Sequence, residues 1–487
     1  MNRRSFLTAS AASAAATALA LNPDRVFAAA AQGDWTLGFA DVEADIAPRD
    51  LTVVQGRPPA GLSGSLFRNG PAKFRRPGGS AAHWFDGDGL VRRFRIRDGR
   101  ASLAARFVDT PRRRTDTAAN AVVTGGFGTA HAPGAAIASA DDVNCANISV
   151  QFAGDELWAL WESGSPFGID PETLETRGLK TLRPDLAGMP YLAHPRYEPD
   201  GAVWNLGLAG TRAIVWRLSP SGTLEAAEVV DLPMASYVHD FTATERHLVL
   251  VLQPWVQVRQ SAPLTTAFNW KPELGTRILV LDKADLSRRR VYEADPLFVF
   301  HMSDAWEETD GTVRFDLCAL PDAGFAVQGG ADLLAGRRPS NALRPELRRV
   351  ALGPDGACRV ERTGLVAEFP RTDARFAGRP RSRTLFAGTG RGANPLFQSL
   401  GLRDDKRDRT ESFDFGPRHL VEEAVFTPRA EGSDEMDGWV LGVSINLDAR
   451  ASELHVFDAR RISEGPVCTW RADLALPISL HGQFRPG

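Results

Sequence analysis

The chain has 487 residues, of which 43% are hydrophobic and 24% charged, and its formal net charge at pH 7 is −3. This composition is typical of a globular protein with a sizeable core, and the slightly negative charge argues against a nucleic-acid-binding protein. No segment beyond the N-terminal region reaches the ~20 apolar residues that a membrane-spanning helix needs.

The N-terminus predicts an export signal. A pair of arginines, Arg3 and Arg4, precedes an Ala-rich and weakly hydrophobic stretch, and small residues near Ala28 and Ala30 offer a cleavage site. We interpret residues 1–30 as a twin-arginine (Tat) signal, with an ordinary Sec signal as the alternative. The remaining residues, 31–487, are then expected to form a single domain in the periplasm of a bacterium.

The rest of the chain is dominated by short strand-like runs that Gly, Pro and Asp separate, and helical periodicity is scarce. One unit recurs: a run of β-branched or aromatic residues, a polar turn that suits a hairpin, and a second run. Its six copies begin at Val91, Pro166, Ile214, Arg277, Leu347 and Ser452.

Six hairpins at irregular spacing predict an all-β protein built by radial repetition, a β-propeller. The gap between the last two copies has room for one more unit, so we expect seven blades. A β-sandwich or two tandem barrels are the alternatives. Long connections near Val122, Phe268 and Leu333 are expected to form, with short helices, a cap over the axis that shapes a pocket.

The four cysteines are widely spaced and include no C-x-x-C pair, which argues against a zinc knuckle and against a redox motif. We expect buried structural thiols, with a disulfide formed after export as the alternative. These cysteines are Cys145, Cys318, Cys358 and Cys468.

Four of the nine histidines, His194, His239, His301 and His481, stand in strand-like or tightly turned contexts. Their separations of 45, 62 and 180 residues match no local metal-binding motif. In a propeller, however, the inner strand of every blade faces one axis, so histidines from four blades can meet there. Four neutral imidazoles suit a first-row divalent metal and leave two octahedral positions open, which favours Fe(II) handling O2 over zinc.

Each ligating histidine needs an acceptor for its second ring N–H, which fixes the tautomer and the ring orientation. Glu162, Glu368 and Glu423 adjoin apolar runs, where an unpaired carboxylate would be costly. We therefore expect these three carboxylates to hold ligand histidines.

Several long stretches, in this order along the chain, resemble one known family, the carotenoid cleavage oxygenases. The N-terminal stretches are GLSGSLFRNGP (Gly61–Pro71), HWFDGDGLVRRF (His83–Phe94) and LWALWESGSPFGID (Leu157–Asp170). The central ones are AHPRYEPDG (Ala193–Gly201), VHDFTATE (Val238–Glu245) and FHMSDAWEE (Phe300–Glu308). The C-terminal ones are EFPR (Glu368–Arg371), SELHVFDA (Ser452–Ala459) and LHGQF (Leu480–Phe484).

The resemblance implies a seven-bladed propeller under a cap and one Fe(II) per chain, held by the four histidines and supported by the three glutamates. It also implies a hydrophobic tunnel, in which a C=C bond of a carotenoid or apocarotenoid is cleaved by O2 into two carbonyl products. An apolar polyene is the expected partner, and a peripheral membrane contact during its uptake is a further expectation. The oligomeric state stays open.

Two positions depart from the family pattern. Ile148 in NCANISV stands where many members have a Thr near an open iron position, so the usual account of O2 placement does not apply unchanged. Trp161 stands where stilbene-cleaving relatives have a Lys that meets a phenolic oxygen, which favours an apolar polyene. A stilbene-type dioxygenase and a non-catalytic periplasmic propeller that binds a ligand are the alternative functions.

His481 is the seventh residue from the C-terminal end, where chains usually fray. We expect a metal bond to repay the entropy of ordering this tail, and Gly482 to permit a close turn that lets the imidazole reach the axis.

Overall fold

The computed structural model describes residues 34–260, 263–390 and 394–487. The predicted export signal lies outside the described residues. Strands predominate within them, which confirms the all-β class. No helix in the described part of the chain has the length and apolar character needed to cross a membrane.

Thirty-five strands are present in the described residues. The first eleven are β1 (Ile46–Asp50), β2 (Thr52–Gly56), β3 (Gly64–Lys73), β4 (Arg75–Arg76), β5 (Gly79–Ser80), β6 (Asp88–Arg97), β7 (Arg100–Phe107), β8 (Ser149–Ala153), β9 (Glu156–Leu160), β10 (Phe167–Ile169) and β11 (Thr176–Leu179). The next twelve are β12 (Arg196–Tyr197), β13 (Val203–Ala209), β14 (Arg212–Leu218), β15 (Leu224–Asp231), β16 (Thr242–Ala243), β17 (His247–Leu252), β18 (Trp255–Gln257), β19 (Phe268–Trp270), β20 (Thr276–Asp282), β21 (Asp285–Ala294), β22 (Phe298–Met302) and β23 (Trp306–Glu307). The last twelve are β24 (Val313–Leu320), β25 (Glu346–Leu352), β26 (Cys358–Arg371), β27 (Arg383–Gly388), β28 (Ser399–Asp404), β29 (Arg409–Asp414), β30 (His419–Val421), β31 (Val425–Pro428), β32 (Gly438–Asn446), β33 (Ala451–Asp458), β34 (Cys468–Arg471) and β35 (His481–Pro486).

Helical segments are short. The α-helices are α1 (Pro111–Ala118), α2 (Leu264–Ala267) and α3 (Gly330–Leu334), and a π-helical turn, Phe325–Gly329, precedes α3. The 3-10 turns are Asp34–Phe39, Trp84–Asp86, Ala140–Asp142, Pro184–Leu186, Pro272–Leu274, Ala374–Phe376 and Ile462–Glu464.

The strands form antiparallel sheets that follow one another along the chain. Sheet 1 is β1-β7-β6-β3-β35, sheet 2 is β11-β10-β9-β8, sheet 3 is β12-β13-β14-β15 and sheet 4 is β16-β17-β20-β21. An eight-stranded sheet then runs from β22 to β29, and sheet 7 is β2-β34-β33-β32-β30. The eight-stranded sheet divides at β26, which pairs with β25 up to Val366 and with β27 from Ala367 onward. We call its two parts sheet 5 (β22 to β26) and sheet 6 (β26 to β29).

All six predicted hairpins form, as β6–β7, β10–β11, β14–β15, β20–β21, β25–β26 and β33–β34. The first shows why the sequence specifies them. Asp98 and Gly99 connect its strands with φ angles of 51° and 72°, the left-handed pair that a two-residue hairpin turn requires. Sheet 6 fills the gap between the last two predicted copies, where room for a further unit was expected.

The two ends of the chain interlock. The N-terminal strand β2 pairs with β34 in sheet 7, whereas the C-terminal strand β35 pairs with β3 in sheet 1. The first and last sheets are therefore each completed by a strand from the opposite end of the chain.

All four cysteines are free thiols, and three of them are buried. Cys358 is half-buried, so it departs from the expectation of four buried thiols.

Candidate metal centre

Seven sheets each contribute an edge strand to one site. His481 begins β35, and His301 lies in β22, whereas His194 and His239 lie just before β12 and β16. The other three edge strands carry three more of the predicted residues: Ile148 precedes β8, Glu368 lies in β26 and Glu423 follows β30. Trp161 and Glu162 instead follow β9, an inner strand of sheet 2. Sequence separation therefore says little about distance here, because corresponding edges of successive sheets face a common centre.

The structure brings the four predicted histidines together. Their nearest ring nitrogens all lie within 4.8 Å of one another. The Nε2 atoms of His194 and His239 are 3.1 Å apart, and so are those of His301 and His481. Two nitrogen ligands about 2.1 Å from one ion and at right angles to each other are about 3.0 Å apart. The cluster therefore has dimensions that suit a single transition-metal ion.

Each of the three predicted glutamates lies beside one histidine. Glu162 Oε2 is 2.7 Å from His239 Nδ1, and Glu423 Oε1 is 2.9 Å from His481 Nδ1. Both of these distances are short enough for a hydrogen bond between the carboxylate and the imidazole.

The third pair is less well aligned, because Glu368 Oε1 lies 3.1 Å from His301 Nδ1 without hydrogen-bond geometry. No carboxylate of the described residues lies at ion-pair distance from His194.

Burial favours the neutral form of two of the four histidines, His194 and His481. Burial lowers the pKa of His481 to about 3, although Glu423 opposes the shift. Burial, followed by the neighbouring histidines, holds the pKa of His194 well below its ordinary value. Burial alone would raise the pKa of Glu423, but the guanidinium of Arg371 and the His481 ring outweigh it and hold that pKa well below the usual range.

One tautomer follows from these contacts. A carboxylate can only accept hydrogen bonds, so the proton of the neutral His481 ring lies on Nδ1, toward Glu423, and its Nε2 lone pair is free to bind a metal. The contacts of His301 do not fix its tautomer in the same way. Its Nε2 lies 3.1 Å from that of His481 in a buried site, a spacing that suits two ligands of one cation. The donor set of this site fits a divalent metal that accepts nitrogen ligands.

Two side chains beyond the predicted set orient these groups, the buried Tyr237 and the partly exposed Arg371. Tyr237 donates its hydroxyl to Glu162, at 2.9 Å from Oε2. Arg371 donates from Nε to Glu423 Oε1 at 2.8 Å. Neither Tyr237 nor Arg371 was predicted, although both positions carried a signal. Tyr237 lies two residues before His239, on the same side of an extended chain, and Arg371 ends the stretch EFPR.

Arg196 links the three segments that carry His194, His239 and His301. It lies two residues after His194 and donates from Nη2 to both carboxylate oxygens of Asp240, at 2.6 and 2.7 Å. It also donates to the carbonyl oxygens of Phe241 and Met302, at 2.5 and 3.0 Å. Since these residues adjoin His239 and His301, one guanidinium fixes three histidine backbones relative to each other.

A small apolar cavity adjoins the histidines, with a volume of about 50 Å³ for water-sized molecules. Ile148 and Trp161 both line it. The predicted long connections contribute Phe127 and Leu343 to its wall. The other lining side chains beside the metal cluster and its carboxylates are Trp84, Phe85, Tyr237, Phe300, Phe325, Phe369 and Leu480.

Phe369 adopts a strained conformation at this wall. Its φ angle is 56°, in the left-handed region, and β26 departs from regular pairing with β27 between Glu368 and Arg371. The ring centroid of Phe369 lies 5.1 Å from that of His301 and 5.4 Å from that of His481. The irregularity thus turns Glu368 toward His301 while the next side chain packs over the histidine cluster.

Comparisons with known proteins agree with this architecture. The family model described as retinal pigment epithelial membrane protein matches residues 39–486. The crystal structure of a cobalt-substituted apocarotenoid oxygenase from Synechocystis superposes with a TM-score of 0.83 and 25% identity, covering 93% of this chain and 98% of that one. The predicted propeller is confirmed by this structural match.

Two curated relatives are similar over nearly their whole length. Resveratrol cleavage oxygenase 1 from Aspergillus fumigatus is 29% identical, with 92% of this chain and 93% of that protein covered. Apocarotenoid-15,15'-oxygenase from Synechocystis is also 29% identical, with 93% of this chain and 96% of that protein covered.

Proposed function

Because the chain belongs to the carotenoid cleavage oxygenase family, we propose that it binds one Fe(II) and cleaves a C=C bond of a carotenoid or apocarotenoid with O2. Members of this family are non-haem iron oxygenases, and the chain is accordingly an oxidoreductase that uses O2. The observation that carries the metal assignment is the clustering of four histidine ring nitrogens within 4.8 Å, with two Nε2 pairs 3.1 Å apart.

His194, His239, His301 and His481 would hold the iron through Nε2. Iron bound there supplies the redox chemistry that lets O2 react with an alkene. Glu162 and Glu423 keep the Nδ1 protons of His239 and His481 in place and so preserve the ligating tautomers, and Glu368 lies beside His301. Both atoms of O2 enter the two carbons of one double bond as that bond breaks, which yields two carbonyl products without an external reductant.

The cavity wall favours an apolar substrate. The polar groups of the wall already have partners: Glu162 and Glu368 face histidines, and the Tyr237 hydroxyl donates to Glu162. Trp161 places an uncharged indole at the position where a cation would be needed to bind the phenolate of a hydroxylated stilbene. Ile148 offers only methyl groups, so it shields the site without donating a hydrogen bond to O2 or water. An apolar polyene bound against this wall would exclude water from the double bond that reacts.

An aryl-alkene is the second candidate substrate. The observation that favours it is a 29% identical relative that is named for resveratrol cleavage.

Two measurements test the proposal. Iron is quantified in the purified mature protein, and products are identified by mass spectrometry after incubation with carotenoids, apocarotenals and stilbenes under isotopically labelled O2. We expect about one iron per chain and label in both products, with apocarotenoids cleaved fastest. A stable mature protein without iron that cleaves none of these compounds would contradict the proposal and favour a binding propeller.

We also propose that residues 1–30 direct Tat-dependent export to the periplasm. The support is the Arg3–Arg4 pair before a weakly hydrophobic stretch. Export of a folded chain would be compatible with iron insertion in the cytoplasm.

A further inference from the structure

Arg68 is a fully buried residue of β3 that joins the C-terminal tail to two consecutive glutamates. Its Nε donates to Ser479 Oγ at 2.9 Å, and its Nη2 donates to Leu480 O at 3.0 Å. Nη1 donates to the carbonyl oxygen and to Oε2 of Glu423 at 3.0 and 3.1 Å, and Nη2 donates to Glu422 Oε2 at 3.3 Å. One guanidinium therefore spans the two residues before His481 and the carboxylate that holds its ring.

The pairing of strands places Arg68 directly over the tail. In the register of β3 and β35, Arg68 lies opposite Gly482, and Asn69 lies opposite His481. A Cβ atom at Gly482 would lie 2.4 Å from the carbonyl oxygen of Phe67 and 2.5 Å from Arg68 Cδ. Gly482 is thus needed because the Phe67 carbonyl and the Arg68 side chain both lie against it, and not for the close turn expected from the sequence, since it lies within β35.

Glutamate side chains complete the connection to His481. The Ser479 hydroxyl donates to Glu422, and the backbone N–H of Gly482 donates to Glu423 Oε2 at 2.9 Å. Glu423 Oε1 then faces His481 Nδ1 at 2.9 Å. The residues before and after His481 are therefore both fixed by the same pair of carboxylates.

We infer that Arg68 is the positioning residue for His481, which it aims at the metal centre by clamping Ser479 and Leu480 to Glu422 and Glu423. Its effect on iron rests on the proposed function, whereas its hold on the tail does not. The planar guanidinium serves five acceptors in one fixed geometry, which a lysine ammonium on a flexible stem does not reproduce.

Arg92 provides a matched control. It is as buried as Arg68 and belongs to the same cluster, with Nη1 at 3.7 Å from Glu422 Oε1. Among the described residues, no hydrogen bond or ion pair joins it to the tail. Arg92→Lys therefore makes the same substitution in the same cluster without altering a tail contact.

The test compares Arg68→Lys and Arg92→Lys in the full mature chain. Amide hydrogen exchange is followed by mass spectrometry for residues 479–486, together with iron per chain after dialysis and the unfolding temperature. We expect exchange in this segment to become at least about tenfold faster in Arg68→Lys alone. Iron retention should fall roughly 10–100-fold in Arg68→Lys and stay near the wild-type value in Arg92→Lys.

Ser479→Ala tests the inference if Arg68→Lys does not fold, because it removes one acceptor of Arg68 and leaves all charges in place. It should accelerate exchange in the same segment by a smaller factor. Wild-type exchange in both Arg68→Lys and Ser479→Ala, or equal acceleration in Arg92→Lys, would overturn the inference. If wild-type protein binds no iron, the proposed function fails, but tail exchange still decides the role of Arg68.

Discussion

The three histidine–carboxylate pairs have different surroundings at the level of single residues. Glu423 is flanked by Arg68 and Arg371, so its negative charge is compensated. Within the described part of the chain, Glu162 receives only a neutral hydroxyl, from Tyr237, besides its histidine. Removing the charge of Glu162 therefore leaves no unpaired arginine behind, which makes it the cleaner position at which to measure what a carboxylate contributes to metal retention.

Glu162→Gln is expected to lower iron retention or activity roughly 10–100-fold, the usual cost of losing a carboxylate partner of a metal-bound histidine. The protein should stay folded, because glutamine has nearly the same size and still accepts from His239 Nδ1. Iron per chain and turnover are measured beside Glu175→Gln, which changes an exposed carboxylate. Full iron occupancy with wild-type turnover would show that Glu162 does not support the metal site.

Trp161→Lys should reduce turnover of apolar polyenes, because a charged group against the apolar cavity is costly to desolvate. The same change should favour hydroxylated stilbenes, whose phenolic oxygen can meet the ammonium. Turnover of an apocarotenal and of a 4-hydroxystilbene is compared in wild type, Trp161→Lys and Trp161→Phe, which keeps the wall apolar. Faster cleavage of the stilbene than of any apocarotenoid by wild type would reverse the substrate order.

At the level of single elements, β26 combines regular pairing with a local irregularity that serves the site. Its first part belongs to sheet 5 and its last part to sheet 6, and the irregular pairing falls at Glu368–Arg371. A left-handed φ of 56° at Phe369 costs about 1–2 kcal/mol for a residue with a side chain. The strand therefore gives up stability where it presents Glu368 and the Phe369 ring to the histidines.

Alanine and glycine at position 369 provide a test of that strain. Both substitutions remove the ring, but only Phe369→Gly relieves the left-handed backbone, so it should be more stable than Phe369→Ala by roughly 1 kcal/mol. This reverses the usual order in a strand, where glycine is the weaker residue. Urea unfolding of both variants measures the difference, and a more stable alanine variant would show that Phe369 is unstrained. Turnover should fall in both, since each opens the cavity wall.

The elements also show what the sequence can and cannot specify. The six hairpins follow from local turn chemistry, as at Asp98–Gly99, and the four histidines follow from motifs that resemble a family. Arg68 could not be assigned a role in this way, because its partners Glu423 and Leu480 lie 355 and 412 residues away. Such contacts depend on the order of sheets around the centre, which no local pattern encodes. The strain at Phe369 was missed for a related reason, because it depends on how β26 changes partner.

At the scale of the whole molecule, the proposed export signal lies outside the described part of the chain. Replacing Arg3 and Arg4 by lysine keeps the positive charge but removes the pair that the Tat pathway recognises. Precursor should then accumulate in the cytoplasm while periplasmic protein falls. Cell fractionation of the variant and of a strain without the Tat translocase measures this, with a Sec-exported protein as control. Unchanged periplasmic yield in either case would favour a Sec signal.

The C-terminal strand β35 completes sheet 1 and also carries His481, so the tail has two separable roles, one structural and one in metal binding. β35 pairs with β3 at six positions, and its first residue, His481, is the proposed fourth ligand. His481→Ala removes the ligand but keeps the strand, and Glu423 retains Arg68, Arg371 and the Gly482 N–H as partners. This variant should lose iron and turnover while its unfolding temperature, measured without metal, stays near that of wild type.

Deleting Ser479–Gly487 should remove iron and turnover as well, but it also uncovers the edge of β3 and the buried charges of Arg68, Glu422 and Glu423. An unpaired buried charge is strongly destabilising, so the unfolding temperature of the metal-free deletion should fall below that of His481→Ala, while circular dichroism still shows mostly β-structure. Equal unfolding temperatures would mean that β35 does not stabilise the fold. Stoichiometric iron and normal turnover in His481→Ala would mean that the metal, if present, is held by a different set of ligands.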